Sequence, residues 1–270
     1  MQYSFFLEEH TTFASLFVSR YRDGQSPASF SSGSVPPAIE TVLNHKSYRS
    51  FLPKPLPDGT LEILLRAAQS GSTSFILQTW DVIVIADPEH KDAVAKLAGD
   101  QDFIRQAPLF LVFCPNLHRA ANPAKALSNS VDATIAGQNA SIAAESLGLG
   151  ICFAGAVRNN AQQICELLKL PPLTFAIFRM TVGYPNLSGE EAIKPRLPMR
   201  EICHRETWSE DGQESNVAAF DQSLGTFFFE QMKVGRKTWG EFVAGNLATG
   251  NLDGRENIKS VLTSQAFESE

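Results

Sequence analysis

The chain has 270 residues, of which 43% are hydrophobic and 19% charged, an ordinary balance for one large globular domain with appendages. Its formal net charge of -6 argues against a nucleic-acid partner, which leaves a basic footprint on the protein that binds it. No apolar run reaches the length of a membrane span, and the four cysteines (Cys114, Cys152, Cys165, Cys203) stand singly, as buried thiols do in a reducing, cytoplasmic setting.

Residues 1–36 read as a loosely ordered N-terminal extension. Its apolar start, Phe5-Phe6-Leu7, runs at once into Glu8 and Glu9, which interrupts a secretory h-region and counts against an organelle presequence around residues 19–22. Loop formers dominate residues 23–34. Pro36-Pro37 leads into a short amphipathic helix over 38–44, and 49–57 is an extended link. Asp58 is the expected N-cap of a helix over 60–69, with Leu61, Leu64, Leu65 and Ala68 on one face. A polar loop over 70–74 follows. Strands and helices then alternate. Residues 80–85 form a strand rich in β-branched side chains, and Asp87-Pro88 opens a helix to about residue 97. A strand over 109–114 precedes an alanine-rich helix over 131–147, which Gly148-Leu149-Gly150 ends. A strand over 151–157, a helix over 161–168 stopped by Pro171-Pro172, and a strand over 175–182 complete the alternation. Beyond Pro198 the pattern is helical, notably over 217–232 and 257–265. The class is α/β or α+β, with helices wrapped on a central sheet.

Two short basic clusters carry most of the functional information: His45-Lys46-Ser47-Tyr48-Arg49 and Lys194-Pro195-Arg196-Leu197-Pro198. Each sets arginine forks, a lysine point charge or a hydroxyl within one turn, the set that a phosphate ester or an electron-rich ring requires. Either cluster alone also reads as a solvated helix end. Two of them, each with rigid punctuation, in an acidic chain, point to a bound anion. Other chemistries lack their residues. No GxGxxG follows a strand, since Gly148 and Gly150 precede one, and neither GxxxxGK[ST] nor GxSxG occurs. The histidines are scattered, so no metal site is expected. No residue set stands out for covalent or general-base catalysis.

Further segments fall in a fixed order. Ala67-Ala68-Gln69-Ser70 runs through Thr73-Ser74 to Leu77-Gln78-Thr79-Trp80. Gln101 precedes Phe103-Ile104 and Ala107-Pro108. Residues 132–139 and Ala143-Ala144-Glu145-Ser146-Leu147-Gly148-Leu149-Gly150 form a helix and its terminating turn, and Gly155-Ala156-Val157-Arg158-Asn159 makes a corner. With the two basic clusters at either end, residues 38–198 resemble the FMN-dependent nitroreductase superfamily, most nearly its NADPH-dependent nitroreductase and flavin-reductase branch. The resemblance implies an α+β fold in which a core over 37–200 binds FMN and residues 201–270 form a C-terminal helical arm. It implies a homodimer with FMN sites at the subunit interface. It places His45, Lys46, Ser47, Tyr48 and Arg49 at the FMN phosphate and ribityl chain. Thr73, Ser74 and Gln101 fall at the ring edge or ribityl hydroxyls, and Phe153, Ala154, Gly155 and Ala156 against the ring. Lys194, Pro195 and Arg196 complete the pocket. Without the resemblance, Thr73 and Ser74 read as turn residues, Gln101 as surface, Phe153 as core, and Gly155 and Arg158-Asn159 as packing and turn residues.

The activity implied is hydride transfer from NADPH, or NADH, through the flavin to small acceptors such as nitroaromatics, quinones or free flavin. The flavin carries that chemistry, so no catalytic side chain is expected. An acceptor pocket falls in variable segments such as 118–129 and the arm. Arg49, Arg158, Lys233, Arg236 and Lys237 are the candidates for gripping NADPH. Lysines stand in the arm where the family carries arginines, which implies a weaker hold on the 2′-phosphate. Two other readings stay open. One is a specialised or non-catalytic FMN-binding protein, suggested by the altered arm. The other is a flavin-free, doubly wound nicotinamide dehydrogenase, suggested by the alternating strands and opposed by the missing glycine fingerprint.

Overall fold

Four strands, β1 (Trp80–Ile85), β2 (Leu109–Pro115), β3 (Gly150–Ala154) and β4 (Phe178–Gly183), form one sheet in the order β1-β2-β4-β3. Each of its three strand pairings is antiparallel. This overturns the doubly wound dehydrogenase, whose sheet is mostly parallel with βαβ crossovers. The alternation of elements was real, but every hydrogen-bonded strand pair here is antiparallel. The computed structural model describes residues 13–21, 35–118, 126–187, 192–233, 235–248 and 255–267. The remaining residues, including most of the predicted extension and 119–125 of the expected acceptor segment, lie outside it.

The chain divides into two compact units, one made of residues 47–188 with 251–270 and the other of residues 1–46 with 189–250. The first contains the sheet. Strand β2 is buried along its whole length, which is why it reads as a continuous apolar run. Side chains alternate across it. Leu109, Leu111 and Phe113 join Ile151, Met180 and Val182 against Leu64 and Ala68 of α3 (Thr60–Gln69) and Ala136, Ala140 and Ala144 of α6 (Ala126–Ser146). The other face carries Phe110, Val112, Cys114 and Cys152. These pack with Val94, Ala95 and Ala98, at and just beyond α4 (Pro88–Leu97), and with Ile104 of α5 (Asp102–Gln106). Small residues let α6 lie close on the sheet, and a Cβ on Gly137 would come within 2.7 Å of the Phe178 ring. Helix α11 (Ile258–Ser264) adds Val261 to a cluster with Ala161 and Cys165 of α7 (Ala161–Leu167).

Several boundaries differ from the sequence reading. Helix α3 is capped by Gly59 in a left-handed conformation (φ 82°), not by Asp58. Helix α6 begins at Ala126, five residues before the predicted start. Strand β3 ends at Ala154, because Ala156–Arg158 turns as a short 3₁₀ segment. Asp87 does cap α4, accepting a 2.7 Å hydrogen bond from the His90 amide.

The second unit is helical. It holds α1 (Phe13–Tyr21), α2 (Pro37–Asn44), α8 (Met199–Ile202), α9 (Gln213–Phe227) and α10 (Trp239–Ala248). Within the predicted extension, α1 is a formed helix, and its Leu16 packs with Val35 and Leu43 beside Phe17 and Tyr21. Helix α9 runs into a π-helical turn over Phe228–Met232. Thr238 and Glu241 form a capping box on α10: Glu241 Oε2 accepts from the Thr238 amide (2.9 Å) and Thr238 Oγ1 from the Glu241 amide (3.1 Å). Asp221 of α9 accepts from the Trp239 amide at 2.6 Å and so joins the two helices. Among the described residues no helix is long and apolar enough to cross a membrane.

Candidate functional site

The helical unit brings the first half of one basic cluster to the other. Helix α2 ends at Asn44, so His45 and Lys46 leave its C-terminus half-buried. In the second cluster Pro195 and Pro198 are buried while Lys194 and Arg196 are exposed, so the prolines anchor the strip and the cations stay in solvent. Arg196 Nη1 donates to the carbonyls of Lys194 (3.1 Å) and Pro195 (3.2 Å), which holds its guanidinium near its own backbone. What ties the two clusters is a residue that sequence reasoning missed. Arg20 of α1 is 3% exposed. Its guanidinium donates to the carbonyls of Leu43 (2.8 and 3.2 Å), His45, and Lys194 (3.4 Å). Its own carbonyl accepts from the Arg196 amide at 3.2 Å.

In the sheet unit, Ser47 pairs with Ile151 as a parallel bridge, and the Tyr48 amide donates to the Ile151 carbonyl at 2.8 Å. The Tyr48 ring lies on Gly150, where a Cβ would come within 2.8 Å of it. The end of the first cluster therefore runs beside the start of β3, which leads to Phe153 and Ala154. Thr73 and Ser74 are half-buried, and the Ser74 amide donates to Asp132 of α6 at 3.1 Å. Beyond them Phe75, Ile76 and Gln78 all have positive φ, and Phe75 and Ile76 are exposed, so the loop carries an apolar tip on a tightly wound turn.

Gln101 stands at the N-cap of α5 and accepts a hydrogen bond from Arg179 Nη2. Arg179 lies on β4 opposite Ala154 of β3 and has no exposed surface. The Phe103 ring is 5.1 Å and the Phe110 ring 5.7 Å from its guanidinium carbon. Its Nε and Nη1 are buried without a hydrogen-bond partner. Burial pulls its pKa down to about 10, Cys152 opposes that shift, and the Arg49 charge adds to it. Arg49, Gln101 and Ala154, all singled out from sequence, thus neighbour one buried cation. The signal for it was a single arginine inside the apolar run 175–182.

The remaining candidates are placed differently. Arg158 is half-buried and its Nη1 donates to the Ile177 carbonyl, while Gly155 leaves it room: a Cβ there would lie 2.8 Å from Arg158 Cζ. Burial, and then the Arg255 charge, lowers its pKa. One of its donors is thus used inside the fold. In the arm, Lys233, Arg236 and Lys237 are exposed. The Arg236 guanidinium carbon lies 5.3 Å from the centre of the Phe229 ring and Lys237 Nζ 5.7 Å from that of Phe242.

Comparison with known proteins agrees with this architecture. Residues 42–101 and 95–184 match the nitroreductase family, and residues 194–270 match that family's C-terminal domain. The chain is 36% identical over 222 residues to an FMN reductase (NADPH) of Bacillus subtilis, covering 75% of this chain and 88% of that protein. It is 33% identical over 225 residues to an oxygen-insensitive NADPH nitroreductase of Salmonella typhimurium, covering 80% and 92%. Among solved structures, the hypothetical oxidoreductase YcnD of Bacillus subtilis superposes with a TM-score of 0.81 at 32% identity, covering 87% of this chain and all of that one. The NADPH:FMN oxidoreductase of Vibrio harveyi, complexed with NAD+, gives 0.76 at 32% identity, covering 85% and 98%. The chain belongs to the nitroreductase family.

Proposed function

We propose that the basic clusters and the Gln101–Arg179 pair serve one flavin cofactor. The protein is an NAD(P)H-dependent FMN oxidoreductase that delivers reducing equivalents from NADPH to flavin or nitro acceptors. The observation that carries the site assignment is a pair of unmatched cations in an acidic chain. Among the described residues neither Arg49 nor Arg196 has a carboxylate within ion-pair distance. Exposed guanidinium groups left in this way suit the phosphate of FMN. The polar donors suit the rest of the cofactor. With its oxygen accepting from Arg179, the Gln101 amide is oriented to offer its N–H pair to a flavin carbonyl or ring nitrogen.

On this reading His45, Lys46, Ser47, Tyr48 and Arg49 hold the phosphate and ribityl chain, and Lys194, Pro195 and Arg196 are assigned to the same cofactor. Thr73, Ser74 and Gln101 meet the ring edge, and the backbone of Phe153, Ala154, Gly155 and Ala156 passes along the ring. Bound FMN supplies the hydride shuttle between donor and acceptor, which is why no nucleophile or general base is needed. The side chains bind, orient and bias the charge of the cofactor. Quinones belong to the same acceptor class. A homodimer is part of the reading. Phe229, Trp239 and Phe242, at 56%, 37% and 43% exposure, give the helical unit an apolar surface suited to a second copy. The reading places the enzyme in the cytoplasm.

Two spectra test the function. The purified protein is expected to be yellow, with about one FMN per chain, and to bleach on anaerobic addition of NADPH. A preparation that stays colourless after adding FMN would sink the cofactor assignment. One that binds FMN but does not bleach would be the non-catalytic flavin protein instead.

A further inference from the structure

We infer that Arg20 is a positioning residue for the phosphate end of the cofactor site, fixing His45-Lys46 and Lys194-Arg196 as one anion cradle. The inference rests on the FMN reading above. Arg20 lies before residue 42, where the match to the nitroreductase family begins, so the brace comes from outside the matched residues.

Carbonyl oxygens oppose an anion. The clusters reach their places through backbone whose carbonyls carry partial negative charge. A phosphate close to unpaired carbonyls is repelled, and a desolvated carbonyl must also find a donor. Leu43 and His45 sit at the C-terminal end of α2, the negative end of its dipole and the wrong end for an anion. Arg20 answers each of these problems with one planar group. It donates to Leu43, to His45 and to Lys194, three carbonyls from two segments far apart in sequence. Its positive charge offsets the negative end of α2. Its main chain adds a fourth tie, to the Arg196 amide. A guanidinium can do this because its five N–H groups point in fixed, divergent directions, and an ammonium cannot. The rest of α1 keeps the group in place, with Leu16 packed against Val35 and Leu43.

A purely structural brace and a phosphate-positioning brace differ in one measurable way. The first would affect FMN and riboflavin alike; the second would affect only the ligand with a phosphate. The test is a fluorescence titration of the full-length apoprotein with FMN and with riboflavin, for wild type, Arg20→Met and Arg20→Lys, with thermal melts of each apoprotein. Wild type is expected to prefer FMN. Arg20→Met should lose about tenfold or more in FMN affinity, the worth of one charge-assisted hydrogen bond, with riboflavin affinity held within about twofold. Inorganic phosphate should compete with FMN less effectively in the variant. Arg20→Lys keeps the charge and most of the buried stem but cannot span both segments, so it should show the same selective loss. Unchanged FMN affinity in both variants, or equal losses for FMN and riboflavin, overturns the proposal. So does failure of both variants to fold, which would make Arg20 a scaffold residue. If the wild type binds no FMN, the functional reading itself fails and the proposal falls with it.

Discussion

Gln101 accepts a hydrogen bond from Arg179, a guanidinium with no exposed surface and two buried nitrogens left without partners. A buried cation so poorly compensated costs stability, because desolvation is only partly offset by one amide and two ring faces. Its depressed pKa records that cost. Such a residue fits better as a device for Gln101 and for the charge of the site than as a stabiliser of the sheet.

Arg179→Met should separate the two roles. Methionine fills much of the space without the charge, so the apoprotein should be as stable as wild type or more so, within about 1 kcal/mol on the unfavourable side. Flavin binding should weaken by about 1.4 kcal/mol, or tenfold, as the Gln101 amide loses its fixed orientation. Chemical denaturation and flavin titration of the same variant measure both. A large loss of stability with normal flavin affinity would return Arg179 to the fold.

Arg49→Ala addresses the anion contact directly. Arg49 is exposed and has no carboxylate partner among the described residues. Its removal should weaken FMN binding by roughly 2–4 kcal/mol, as expected for a charge-assisted contact in a partly buried site. An unchanged dissociation constant would make Arg49 a surface charge.

Much of this was legible beforehand, and the parts that were not share a cause. Strand β1 and helix α4 were readable to the residue because β-branched density, Asp87 and Pro88 act locally. Pairing direction is not local. The alternation of strands and helices fits either a parallel or an antiparallel sheet, and only the register of Leu109–Phe113 against β4 settles it. The basic clusters were visible as motifs, but what joins them was not. Nothing in the sequence around Arg20 marks it as buried, because its partners are main-chain carbonyls, which every residue has. The end of β3 was overrun by three residues because Val157 is apolar and buried, and burial looks the same in a strand and in a 3₁₀ turn.

Glu201 gives a pH signature for the helical unit. Its carboxylate accepts from Asn216 at 3.0 Å and Gln213 at 3.1 Å, and these hydrogen bonds hold its pKa below the usual 4.5. A depressed acid contributes stability above its unfolded pKa and loses it as the pH falls through the folded one. Glu201→Gln should therefore melt lower than wild type at neutral pH, with the gap closing in acid. Thermal melts on either side of the glutamate range check this, and a gap independent of pH would contradict it.

The thiols should divide by burial. Cys114, Cys152 and Cys165 are buried and Cys203 is exposed. Burial pushes the Cys165 thiol up to about 11 and Cys114 higher still, so neither offers thiolate near neutrality. A colorimetric thiol reagent should label one cysteine per native chain quickly and all four after denaturation. Fast labelling of a second, or failure of Cys203→Ser to abolish the fast phase, would contradict this placement.

The electron donor tests the arm. Lys233, Arg236 and Lys237 are the cations available there for a 2′-phosphate. The structure engages two of them with rings, Arg236 over Phe229 and Lys237 over Phe242, at distances where cation–π attraction is worth about 0.5–1 kcal/mol at an exposed site. That is weak enough to be exchanged for a phosphate and strong enough to hold the cations near the π-helical turn beforehand. Lysine lacks the bidentate fork, and Glu230 adds a repulsive charge in the same turn. One surviving charge-assisted contact contributes roughly 1.5–3 kcal/mol. The ratio of kcat/KM should therefore favour NADPH over NADH by about ten- to a hundredfold. Arg236→Ala should raise KM for NADPH and leave NADH kinetics nearly unchanged, because only the phosphorylated donor uses the contact. Phe229→Leu removes the ring without the charge and should keep the preference while loosening it. Steady-state kinetics with both donors decides the matter: equal use of NADH by the wild type would mean that the arm does not read the 2′-phosphate.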